Sequence, residues 1–136
     1  MTTGMLVEVG NELEPLELET ISRTTLALFA GASGDHNPIH IDLDVAQSAG
    51  LADVFAHGML SMAYLGRLLT NWVAPESIRD YGVRFAAVTP VNATPTARAR
   101  IVALDTVDGE RRATLELSVT LADGTVTLAG DAVVAL

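Results

Sequence analysis

Between Gly58 and Trp72 runs a stretch that dictates what must surround it. Met59, Leu60, Met62, Ala63, Tyr64, Leu65, Leu68 and Leu69 cover nearly the whole circumference of a helix, and Arg67 is its one charge. A helix apolar on all sides has to be buried. Ser61, Arg67, Thr70 and Asn71 interrupt it, and it is too short to cross a bilayer, so protein and not lipid must cover it. The second half of the chain supplies that cover. Ala113, Leu115, Leu117, Val119 and Leu121 alternate with Arg112, Thr114, Glu116, Ser118 and Thr120, the period of a half-buried strand. Asp108-Gly109 before it and Asp123-Gly124 after it are hairpin turn signals, and Val126, Leu128, Ala132 and Val134 continue the alternation in a last strand. Thr96 to Leu104 supplies another strand, and Tyr81, Val83 and Phe85 alternate with Gly82, Arg84 and Ala86 in a further one. The expectation is an α+β chain in which an antiparallel sheet of about five strands wraps a long, buried central helix. There is no repeat, low-complexity tract or linker, so residues 1–136 read as one domain.

The first half reads as the lead-in to that helix. Met5 to Glu19 mixes short apolar and acidic residues around Gly10 and Pro15, which suggests an extended segment and an edge strand ending near Ile21. Ser22 can cap a short helix, about Arg23 to Ala32, in which Leu26, Phe29 and Ala30 recur at helical spacing until Gly31 and Gly34 break the pattern. Pro38 disfavours helical geometry at Asn37, so residues 35 to 40 are expected as a loop or extended turn, and His36 and His40 do not share a helix face. Asp44 to Ala49 can form one or two helical turns closed by Gly50, and Leu51 to Ala56 connects them to the apolar helix.

Composition then removes whole classes of function. A formal charge of −9 disfavours nonspecific binding to nucleic acid or to anionic membrane, both of which require clustered cations. The absence of Cys removes disulfides, thiol catalysis and thiolate metal sites, and fits a cytoplasmic setting. Met1 to Gly10 lacks a basic region followed by an apolar run, so no signal peptide is expected. With 49% hydrophobic residues in 136, apolar surface is left over after one core is filled, which points to a partner subunit.

What remains is small-molecule chemistry at one stretch, Gly34-Asp35-His36-Asn37-Pro38-Ile39-His40, followed by His57-Gly58. The turn offers a carboxylate, Asp35, and an imidazole, His40, with Asn37 between them as an orienting hydrogen-bond group. An acid and a base that share one water can add it to, or remove it from, a polarised double bond. Gly58 opens the apolar helix, where unsatisfied amides and the positive end of the helix dipole suit a developing oxyanion. These parts match attack of water on the β-carbon of a C=C conjugated to a carbonyl, and its reverse.

Ser33 to His40, then Ala56-His57-Gly58-Met59-Leu60 and Tyr81-Gly82-Val83-Arg84-Phe85, resemble the MaoC-like or hydratase 2 family of (R)-specific enoyl thioester hydratases and (3R)-hydroxyacyl-thioester dehydratases. The likeness extends over most of the chain. It implies a hot-dog fold, a dimer with two sheets joined edge to edge, Asp35 and His40 as the catalytic pair, and the Gly58 amide as oxyanion donor. It also implies a substrate carried on coenzyme A or on acyl-carrier-protein pantetheine, with no metal or redox cofactor. His36 occupies the variable position of the motif.

Each of these residues also has a plainer reading. Asp35 alone could cap a turn, and His36 reads as a solvent-facing or packing residue. His57 is expected to orient the turn into the helix by hydrogen bonding. Two or three His beside a carboxylate could ligate a metal, although helical spacing is absent. Met59, Met62 and Tyr64 read as core, with one side available to line an acyl tunnel. Arg84, Arg98 and Arg100 occupy polar positions of strands, and in so acidic a chain they are the local attraction for coenzyme A phosphates or an acidic carrier protein. Two rival functions share the fold class. A hot-dog acyl thioesterase would want an acidic residue on the central helix, and Gly58 to Trp72 has none. A subunit of a heterodimeric enoyl-CoA hydratase acting on a steroid or branched acyl chain is the other, and a chain with both Asp35 and His40 would be its active half.

Overall fold

The computed structural model describes residues 7–136, and the Met5 and Leu6 portion of the expected lead-in lies outside them. A two-residue strand β1 (Leu16–Glu17) precedes helix α1 (Arg23–Ser33), a 3-10 turn (Pro38–His40), helix α2 (Leu43–Ser48) and helix α3 (Gly58–Thr70). Strands β2 (Ile78–Phe85), β3 (Thr96–Val107), β4 (Glu110–Thr120) and β5 (Val126–Ala135) complete the chain. All pairings are antiparallel in the order β1-β3-β4-β5-β2, so β2 and the short β1 form the two edges. The five-stranded sheet with its central helix is the expected hot-dog architecture.

Local chemistry sets the element boundaries. The Ser22 side chain accepts the Thr25 amide at the start of α1, and Gly34 closes that helix at φ 80°, where a Cβ would be strained. Asp108 and Gly109, at φ 51° and 78°, make the tight β3–β4 hairpin that the Asp-Gly pair announces. Along β4, Ala113, Leu115, Leu117 and Val119 are buried, as their spacing requires.

Three expectations need correcting. Helix α3 is not covered all round within one chain. Leu60, Ser61, Leu65, Leu68 and Leu69 are buried, whereas Met59, Ala63, Arg67 and Thr70 are exposed, because the sheet lies on one side only. The helix also stops at Thr70, and Trp72 and Val73 are buried in the segment that follows it. In β5 the inward alternation fails at Val126, which is exposed while Thr127 and Leu128 are both buried. Val119 pairs with Leu128 but Thr120 with Val126, so Thr127 is an extra residue that bulges the strand.

Two apolar clusters hold α3 at different heights. Leu65, Leu68, Leu69 and Trp72 pack on Ala99, Ile101, Leu115, Leu117 and Leu128 of the sheet. Nearer its start, Leu60 packs with Ile21, Leu26, Ala46, Val54, Ala56 and Val91, which tie α1 and α2 to the helix. Leu65 and Leu69 are fully buried, and each such side chain contributes about 2 kcal/mol of transfer free energy. The loop carrying Asp35 and the start of α3 are thereby fixed to one another through a shared core. Among the described residues, no helix is long and apolar enough to cross a membrane.

Candidate active site

A chain of short side-chain-to-backbone hydrogen bonds builds the loop after α1. The Asp35 amide donates to Ser33 Oγ, the Asn37 amide to Asp35 Oδ1, and the Ile39 amide to Asn37 Oδ1. These Asx turns are the local alternative to a helix that Asp and Asn favour, and Pro38 starts the 3-10 turn at their end. Asn37 therefore supports the site by capping the turn that carries His40, and its side-chain oxygen is spent on the Ile39 amide. Asp35 Oδ1 is occupied, which leaves Oδ2 for chemistry.

His40 is buried, and its Nδ1 lies 2.7 Å from the carbonyl oxygen of Phe55. A carbonyl only accepts, so Nδ1 carries the hydrogen and Nε2 presents a lone pair. That Nε2 lies 4.0 Å from Asp35 Oδ2, whose side chain is 53% exposed. The two atoms do not bond each other, and the gap between them has room for one bridging oxygen. The ring of Phe55 meets the His40 ring edge-on at 4.8 Å.

His57 departs from its expected task. It stands at the N-cap of α3, yet its side chain makes no capping bond. Its Nε2 instead reaches the backbone carbonyl of Asp35 at 3.1 Å, and its ring stacks on that of His40 at 3.9 Å. With no side chain spent on them, the amides of Gly58 and Met59 at the start of α3 have no intrahelical acceptor, while that of Leu60 donates to the His57 carbonyl oxygen at 3.0 Å. A cleft of about 330 Å³ opens beside them, lined by Phe55, Ala56, Gly58, Phe85, Val88 and Thr89 among others. Phe85 lies so close over Gly58 that a Cβ there would meet its ring at 2.9 Å.

Asp35, His40, Asn37, His57 and Gly58 are thus brought together, whereas two other sequence candidates are not. Met59 projects from the exposed side of α3, at 57% exposure, next to Gly58. Arg84 is exposed and lies on the opposite face of β2 from Tyr81, Val83 and Phe85, because strand side chains alternate. It makes no ion pair among the described residues, and within one chain it does not face the Asp35–His40 pair. Arg98 and Arg100 are engaged on the outer sheet face, with Thr120 at 2.9 Å and Glu116 at 3.6 Å. His36 is exposed. The sequence reading missed Phe55, which acts through a backbone carbonyl that no side-chain pattern reveals. It placed Phe85 on the inward face by alternation but not over Gly58.

Donor atoms of Asp35, His40 and His57 lie within 4.8 Å of one another. The rings of His40 and His57 are stacked with their planes 28° apart, so their lone pairs lie in two planes that are close to parallel.

A family model described as "MaoC like domain" matches residues 7–125. The (R)-specific enoyl-CoA hydratase of Rhodospirillum rubrum is 34% identical over 118 residues, which are 85% of this chain and 80% of that protein. The 3-hydroxyacyl-thioester dehydratase Z of Mycobacterium tuberculosis is 30% identical over 117 residues, 81% of this chain and 78% of that one. Among solved structures, the (R)-hydratase of A. caviae involved in PHA biosynthesis superposes with a TM-score of 0.84 at 25% identity, over 98% of this chain and 99% of that one.

Proposed function

This chain belongs to the MaoC-like domain family, and from that membership we propose that it hydrates trans-2-enoyl thioesters with (R) specificity and, in reverse, dehydrates (3R)-hydroxyacyl thioesters. The observation that carries the reading is the pair of proton acceptors, Asp35 Oδ2 and His40 Nε2, held 4.0 Å apart beside the start of α3. A water about 2.8 Å from each atom would see them about 90° apart, near the angle between its own two O–H bonds. Both of its hydrogens then point into the protein, and its oxygen lone pairs face outward toward a substrate.

As the C–O bond forms at the β-carbon, one water proton passes to the pair and the C=C electrons move toward the thioester carbonyl. The Gly58 amide, at the positive end of α3, receives the negative charge on the carbonyl oxygen. The α-carbon then takes a proton back from the pair, so the enzyme ends as it began. Asp35 serves as the base, and His40 positions the water and shuttles the proton.

The substrate is carried on coenzyme A or on carrier-protein pantetheine, with no metal or redox cofactor, in fatty-acid or related lipid metabolism. A cytoplasmic setting suits both carriers. Two copies join through sheet edges, and β2, eight residues long with one side unpaired, is the edge with enough backbone for this. Pairing with a related subunit is the alternative. Size-exclusion chromatography of the chain expressed alone separates the two. Activity across enoyl-CoA chain lengths, with the carrier-protein thioester alongside and free thiol measured in parallel, tests the reading. Hydration without thiol release supports it, and thiol release without hydration overturns it in favour of a thioesterase.

A further inference from the structure

We propose that His57 is a positioning residue of this site, a single imidazole that keeps the acid/base loop in register with the oxyanion amide; the inference rests on the hydratase reading. His57 is 1% exposed. Its Nε2 carries a hydrogen, since its partner at 3.1 Å is the carbonyl oxygen of Asp35. One face of its ring is stacked on His40, with centroids 3.9 Å apart and planes 28° from parallel. The Phe29 ring of α1 meets it edge-on at 4.9 Å. The next residue in the chain is Gly58.

One side chain therefore touches both halves of the acid/base pair, and its own peptide leads into the amide that would hold the oxyanion. A residue whose only task was to start α3 would aim an acceptor at the first-turn amides. His57 does not. Among the described residues its second nitrogen, Nδ1, is buried with no protein hydrogen-bond partner, while the N–H goes back 22 residues to Asp35. The ring orientation is therefore set by the contacts at its other nitrogen and its faces. Those contacts all lead to the catalytic loop or to α1, from which that loop departs.

The bond to Asp35 is made to the backbone, so it sets where the carboxylate stands without consuming either carboxylate oxygen. The stacking does the same for His40, because it leaves Nδ1 on Phe55 and Nε2 facing Asp35. His57 has no hydrogen left to give to substrate, and its only free nitrogen is enclosed. Its effect on the reaction has to pass through the groups it places, in the manner of a histidine orienter behind a reacting group. Placement errors of about 1 Å are felt in the transition state far more than in ground-state binding.

The test compares His57→Phe, which keeps a buried ring and loses the N–H, with His57→Gln, whose amide nitrogen can occupy the place of Nε2. Steady-state hydration of a trans-2-enoyl-CoA and thermal unfolding are measured for each. We expect His57→Phe to lose kcat by on the order of tenfold to a hundredfold. Its KM should stay within about twofold of wild type, as for an interaction felt only in the transition state. His57→Gln should recover most of that loss. A folded His57→Phe with wild-type kcat would overturn the inference, as would equal losses in the two folded variants. Should His57→Phe not fold, His57→Gln decides alone: near-wild-type kcat supports the role and a large loss overturns it. A wild-type chain that hydrates none of the enoyl thioesters would instead overturn the hydratase reading, and this inference with it.

Discussion

The Nδ1–H of His40 ends on the carbonyl oxygen of Phe55, 2.7 Å away, and this bond settles which ring nitrogen meets Asp35. Because Nδ1 is a donor there, Nε2 enters the site as an acceptor, opposite a carboxylate oxygen that is also an acceptor. Nitrogen-15 NMR of labelled histidine should accordingly find neutral His40 with its hydrogen on Nδ1 and His57 with its hydrogen on Nε2. A hydrogen on Nε2 of His40 would remove the lone pair on which the water geometry depends.

Gly58 tests the oxyanion half of the site. A Cβ at this position would lie 2.9 Å from Cε1 and 3.0 Å from Cδ1 of Phe85, so one of the two has to move. Phe85 is half exposed and its ring can swing away, which keeps the cost to stability small. Gly58→Ala should lower kcat/KM by on the order of tenfold with thermal stability nearly unchanged, since the methyl group crowds the amide and displaces the cleft wall. Adding Phe85→Leu should return part of the loss. Full activity in Gly58→Ala alone would contradict the crowding of this amide and of the cleft by a methyl group.

Gly130 is where the fold is least forgiving. Opposite it in the sheet runs Val83 of β2, and a Cβ on Gly130 would collide with the carbonyl of Gly82 and approach the Val83 Cα to 2.8 Å. Both are backbone atoms, so β2 itself would have to shift, and with it Phe85 over Gly58. Gly130→Ala should cost about 1–3 kcal/mol in urea unfolding, the range of an overpacked interior. A change below about 0.5 kcal/mol, the range of a surface substitution, would contradict that packing.

Glu110 contributes to stability in a way that acid removes. Glu110, at the start of β4, is gripped first by Arg79 and then by Arg112, with guanidinium contacts of 2.8 and 2.9 Å from Arg79 and 2.8 Å from Arg112. These hold its pKa down from 4.5 to about 2. A carboxylate with a depressed native pKa stabilises the fold above the unfolded value and loses that contribution as pH falls through the native one. Wild type should therefore exceed Glu110→Gln in urea stability at pH 6, with the difference shrinking between about pH 4.5 and 2. A difference constant over that range would show that Arg79 and Arg112 do not govern the ionisation of Glu110.

How much of this was legible in the sequence depends on whether side chains or backbone carry the information. The sheet was legible because Ala113, Leu115, Leu117 and Val119 alternate with polar residues, and the Asp-Gly pairs mark the turns. Helix α1 was legible from Ser22 and Gly34, to within a residue at its end. The bulge at Thr127 was not, since both strand registers satisfy the same alternating pattern until partners are known. Nor was the exposed side of α3, because an apolar circumference says that a helix wants cover and not that one chain provides it. Within the site, Asp35, His40 and Gly58 were legible as one motif, and the structure brings their segments together. What orients them was hidden, being the Phe55 carbonyl, the Asp35 carbonyl held by His57, and the stacking of two imidazoles far apart in sequence. Arg84 sits on the polar face of β2, as its alternation with Tyr81, Val83 and Phe85 indicates, and is exposed there.

The most direct measurement of the central claim is the fall in enone absorbance as a trans-2-enoyl-CoA is hydrated by wild type, Asp35→Asn and His40→Ala. Wild type should turn over, and each variant, folded by circular dichroism, should lose kcat by on the order of a hundredfold or more. Turnover near wild type in either variant would mean that the pair 4.0 Å apart at the mouth of α3 is not the acid/base pair of this protein.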